Sequence, residues 1–167
     1  MSGFVDFVMA KKSDAKAILK SVPSAGEKWP TVEWKWCFRP ELASLYGILR
    51  SWPKKVRLKD KDIDDLEELI PGVGRRNSTT VDEETSAMVG EKACALAGLL
   101  WQLPDDLIKL IAAIDEKDDA KIADAWYKYF DHWEPAELVE LIQALRDLCQ
   151  RATKAKKCVF LLDNCGY

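Results

Sequence analysis

The chain is short of histidine, glycine, proline, net positive charge and long apolar runs, and each shortage removes a class of function. Its 167 residues include a single histidine, His132. Structural zinc sites gather several Cys and His ligands at short spacings, and no Cys-x-x-Cys pair occurs, so no metal site is expected. The same scarcity limits nucleophilic catalysis, because any cysteine nucleophile would have only His132 as an imidazole base. The G-x-S-x-G, H-E-x-x-H and Walker patterns are absent, and nothing calls for a cofactor. No apolar run approaches the roughly 20 residues of a membrane helix. Lysine and arginine number 25 against 28 acidic residues, for a net charge of −3 and a pI near 5.3. That balance weighs against a domain held on phosphate backbones, so no nucleic-acid partner is expected.

What is present looks like an ordinary globular protein, 48% hydrophobic and 32% charged. With 8 Gly, 7 Pro and no low-complexity linker, a single domain over residues 1–167 is expected. The opening "MSGFVDFVMAKK" places its charges after its apolar stretch and lacks a small-residue cleavage site, so it does not read as a secretory signal. Five cysteines (Cys37, Cys94, Cys149, Cys158 and Cys165) are an odd number in a chain long enough for a normal core. They read as reduced thiols packed as small hydrophobes, which implies the cytoplasm. Spacing alone would permit a Cys158–Cys165 disulfide, and the compartment argument weighs against it.

Apolar periodicity gives the elements. Residues 4–9 (FVDFVM) read as a first strand, and Ser13 as the cap of a short helix with Ile18 on its apolar face. In "WPTVEWKWCF", Val32, Trp34, Trp36 and Phe38 alternate with polar positions, which predicts a strand over 31–38 with one buried face. Those aromatics could stack sugars, bases or a quaternary amine. A strand facing a helical layer needs the same alternation, and the core reading is adopted for Trp34 and Trp36. Pro40 suits the first turn of a helix carrying Leu42, Leu45, Tyr46, Leu49 and Trp52.

Asp60 then opens a short acidic helix that ends at Pro71-Gly72. "PGVGRRNSTT" (71–80) reads as the longest irregular segment. Thr80 and Glu83 form a capping-box pattern opening a long helix, apolar nearly all round from Ala93 to Leu103. Another helix follows Pro104, and one more carries Ile122, Trp126, Phe130 and Trp133. Pro135 begins the last, whose stripe runs from Leu138 to Ala152. The run "CVFLLD" suits a strand buried on both faces. Terminal strands cannot bury themselves alone, so they should meet in one sheet. The expectation is a helix-rich α+β domain with a small sheet of about three strands and about seven helices.

Candidate sites are few. Trp29 and Trp52 stand beside Pro30 and Pro53 and are the tryptophans expected to be partly exposed, hence the candidates for a binding surface. Arg75 and Arg76 lie among small residues that suit an anion or partner contact, although a phosphate-loop ending is lacking. Asp60, Asp62 and Asp64 match the first ligands of an EF-hand loop, but Asp65 and Pro71 replace the glycine and glutamate it requires. Asp131, His132 and Glu134 could pair for acid–base work. A histidine at a helix end more often serves the carbonyl end of the dipole.

Three stretches, "GFVDFVMAKKSDAKAILKS", "MVGEKACALAGLLWQLPDDLIKLIAAID" and "ELVELIQALRDLCQRATKAKKCVFLLD", together resemble the YfbM-like family of uncharacterised bacterial proteins. The resemblance covers about half the chain and rests on hydrophobic patterns. It implies a cytoplasmic bacterial protein and adds no chemistry. The leading expectation is a small protein-interaction or inhibitor/immunity-type module without catalytic activity. The alternative is a small-molecule-binding domain or unrecognised enzyme using Asp131, His132 and Glu134, with Arg75 and Arg76 over a pocket.

Overall fold

A computed structural model describes residues 3–21, 25–75, 99–129 and 133–165. Arg76, the Thr80–Glu83 capping pattern, Cys94, Phe130, Asp131 and His132 lie outside these residues. Among the described residues are five strands: β1 (Gly3–Ala10), β2 (Thr31–Lys35), β3 (Gly72–Arg75), β4 (Leu99–Gln102) and β5 (Cys158–Cys165). They form one sheet of order β2-β1-β5-β4-β3, with every neighbouring pair antiparallel. The α+β expectation holds, but the sheet has five strands where about three were expected. Among the described residues six α-helices accompany it: α1 (Ala15–Lys20), α2 (Arg39–Ser51), α3 (Asp60–Glu67), α4 (Asp105–Ala112), α5 (Asp119–Tyr127) and α6 (Pro135–Ala155).

The two terminal strands meet at the sheet's centre, Phe7 opposite Leu161 and Val8 opposite Phe160. Each is covered on both sides, which is why both read as near-continuous apolar runs. Val5, Phe7, Met9, Val159 and Leu161 face the main core with α2, α4, α5 and α6. Val8, Ala10, Phe160 and Leu162 face a smaller cluster closed by Ile18 of α1, with Trp29 and Leu19 packed against it. The α6 stripe is as expected: Leu138, Leu141, Ile142, Leu145, Leu148, Cys149 and Ala152 are all buried. A fully buried side chain of leucine size stabilises the fold by about 1.5–3 kcal/mol, so this helix is a principal contributor.

Several local expectations fail for identifiable reasons. Strand β2 ends at Lys35 because Trp36 adopts a left-handed φ of 59°. That residue breaks the two-residue alternation, so Cys37 turns inward at 0% exposure. Trp34 and Trp36 are both half-buried: Trp34 packs against the main core, and the Trp36 ring meets Phe38 edge-on at 6.1 Å. The apolar run to Leu103 does not end as helix: residues 99–102 form β4, with Leu100 opposite Leu162. Within 71–80, residues 72–75 form the edge strand β3, bulged between Gly72 and Gly74. Ser13 lies inside a 3-10 turn (Lys12–Asp14), and Asp14 accepts the Lys11 N–H at 3.1 Å. Helix α5 stops at Tyr127, and Trp133 stands just before α6, its ring 5.7 Å from that of Trp34.

Candidate functional site

Helix α2 ends where Trp52 leaves helical geometry (φ −55°, ψ 135°) and Pro53, which has no N–H, blocks its continuation. The Lys54 N–H closes the turn on the Ser51 carbonyl at 2.8 Å. Trp52 is thereby turned toward the start of α5, where its indole N–H meets the Asp118 carboxylate at 3.4 Å. Asp118 is itself placed by a 3-10 turn over Glu116–Asp118, whose Asp115 cap accepts the Lys117 N–H at 3.2 Å. On the other side, the Leu58 N–H donates to the Tyr129 hydroxyl at 2.8 Å and holds the connector against α5.

Between these supports lies a cleft of about 520 Å³. Its apolar wall includes Ile48, Trp52, Val56 and Ala125. Its rim carries Lys54 and Lys55 from the connector, Lys121 from α5 and Lys128 from the residue that caps the end of α5. Lys121, Asp124, Ala125 and Lys128 recur at spacings of three and four, so α5 presents them on one face. Its opposite face buries Ile122, Ala123 and Trp126. A second depression of about 560 Å³ lies between α2 and α3, beside Gly47, Arg50, Asp62 and Asp65. It is more open to solvent, so the Trp52 cleft is the better-formed site.

The expected site residues are dispersed. Trp52 packs on the main core and Trp29 on the smaller cluster across the sheet, so the two do not share a surface. Arg75 is exposed at the end of edge strand β3, opposite Leu99. Glu134 is exposed at the start of α6, where its N–H donates to the Glu137 carboxylate at 3.0 Å. Asp60 and Asp64 are on helix α3, and Asp62 accepts the Lys59 N–H at 2.9 Å, a helix-start role. Among the described residues no cluster of His, Cys, Asp and Glu could hold a metal ion.

Cys37, Cys149 and Cys158 are free thiols whose surroundings disfavour ionisation. Burial, with Glu41 nearby, pushes the Cys37 thiol well above its ordinary range. Burial alone pushes Cys149 up to about 12. Cys158, a free thiol, is raised by burial and by Asp105, with Lys12 opposing. A thiol must ionise to attack, and at all three positions burial disfavours the thiolate.

Sequence reasoning singled out Trp52 and missed Lys121, Lys128 and Tyr129. The polar face of α5 was legible, but nothing local ties it to a tryptophan some 70 positions earlier, a separation that the 66-residue Trp52–Asp118 contact spans. No family model, curated protein or solved structure matches this chain. Among the described residues no helix is long and apolar enough to cross a membrane.

Proposed function

We propose that this protein acts by binding another protein, as an interaction or inhibitor/immunity-type module without catalytic activity, and that the Trp52 cleft is its contact surface. One observation carries the reading: a half-buried tryptophan, held by Asp118, walls a concave apolar cleft with a charged rim. Interfaces commonly have such an apolar centre within a polar rim, and tryptophan is enriched among residues that dominate binding. The raised thiols of Cys37, Cys149 and Cys158 support the non-catalytic part. For the alternative built on Asp131, His132 and Glu134, the first two lie outside the described residues, and Glu134 stands exposed at the start of α6, where its N–H donates to Glu137.

The test is parallel affinity capture from lysate of the source organism with wild-type, Trp52→Ala and Trp52→Phe baits of matched thermal stability. A partner held by wild type and lost from Trp52→Ala supports the reading, since such a truncation typically costs about 2 kcal/mol or more. Equal capture by all three baits removes Trp52 from the interface.

A further inference from the structure

Resting on that reading, we infer that the occupant of the Trp52 cleft is an acidic peptide segment, its carboxylates on the lysine rim and an apolar side chain against Trp52. The cleft is lined by four lysines and two aspartates, a positive excess in a chain whose net charge is −3. Lys54, Lys55, Lys121 and Lys128 are exposed, and none forms an ion pair among the described residues. They come from two separate segments yet border one concavity, so their fields add over it.

Charge alone would also suit a phosphodiester chain. The acceptors in the cleft favour peptide. Asp118 and Asp124 place carboxylates among the lysines, and a nucleic-acid backbone offers them repeated negative charge with no donors. A peptide offers backbone N–H groups for those carboxylates, acidic side chains for the ammonium groups and an apolar residue for the wall of Trp52, Val56 and Ala125.

Fluorescence anisotropy on the full chain tests this, using a short fluorescein-labelled peptide of glutamates flanking one leucine. Its lysine counterpart and a labelled oligothymidylate serve as controls. The acidic peptide should bind, weakening as salt rises because exposed charges are screened within about 10 Å at 0.1 M. Lys121→Glu/Lys128→Glu should weaken it about tenfold, as should Lys54→Glu/Lys55→Glu, with folding checked by circular dichroism. Trp52→Ala should weaken it about thirtyfold, the factor equivalent to a typical tryptophan hot spot.

Three results overturn the inference: no binding of the acidic peptide by wild type, equal binding by the charge-reversed variants, or tighter binding of the oligothymidylate. Each leaves the interaction reading standing if Trp52→Ala still loses its captured partner. If Trp52→Ala loses nothing in either assay, both fall.

Discussion

Arg146 of α6 grips the Asp119 carboxylate with both terminal guanidinium nitrogens, one of them at 3.1 Å, at the first residue of α5. Asp119 is only 3% exposed, and Gln143 approaches the same carboxylate at 3.5 Å. The pair fixes the helix whose outer face supplies half the lysine rim. Coulomb attraction and donor count hold the carboxylate where burial alone would expel it.

Removing one partner of this pair should therefore cost more than removing both. Arg146→Ala leaves a buried carboxylate without its cation, for an expected loss of about 3 kcal/mol. Replacing both, Arg146→Met with Asp119→Leu, should return the protein to within about 1 kcal/mol of wild type, because the desolvation penalty disappears with the charges. Urea midpoints of the two variants decide it. A double variant no better than Arg146→Ala would mean that the pair sets the helix position and does more than satisfy a buried charge.

The C-terminus of α6 makes a second prediction, of opposite sign. Lys156 has a left-handed φ of 54°, and the Lys157 N–H closes back on the Ala152 carbonyl at 2.9 Å. A Cβ disfavours that geometry, and glycine is the usual residue there. Lys156→Gly should stabilise the protein by about 1 kcal/mol, read as a raised thermal midpoint. A lowered midpoint would mean that glycine's freedom in the unfolded chain outweighs the relieved strain.

Much of the fold was legible where one face or both faces of an element are consistently apolar. The stripe of α6 and the runs FVDFVM and CVFLLD indicate their burial directly, and Pro40, Pro104 and Pro135 mark helix starts. Legibility failed where composition is ambiguous or one residue changes the pattern. Leu99–Gln102 continues an apolar run that suits a buried helix as well as a strand, and only the pairing of Leu100 with Leu162 decides it. Strand β3 is GVGR, two glycines on an edge, and carries no strand signature. The left-handed Trp36 exchanged the expected roles of itself and Cys37. Trp52 could be singled out from its neighbour Pro53, but its cleft depends on Asp118 and Tyr129, which the fold brings from far along the chain.

Thiol chemistry should follow burial. Cys37 and Cys149 are 0% exposed with raised thiols, so neither should alkylate in the native state at pH 8. Cys158 is half-buried and should react first of the three. Iodoacetamide labelling followed by peptide mass spectrometry, with and without guanidinium, reads each site separately. Native labelling of Cys149 ahead of Cys158 would show that α6 opens locally more readily than its packing implies.

Tyr46 predicts a pH effect whose sign is fixed. Burial and the hydrogen bond its hydroxyl donates to Asp106 push its pKa from 10.0 to about 12, and the nearby Arg50 guanidinium opposes this less strongly. The folded protein thus holds the phenol proton more tightly than the unfolded chain does. The resulting stability is fully present below about pH 10 and is lost as pH rises toward about 12, because the unfolded state releases the proton first. Tyr46→Phe should cost about 1 kcal/mol at neutral pH, the net worth of one hydrogen bond. The gap between variant and wild type should then close between pH 10 and 12 as the wild type loses its advantage. Urea unfolding of both proteins across that range isolates Tyr46 from other groups titrating there. A gap that stays constant would show that the hydroxyl acts through packing and not through its proton.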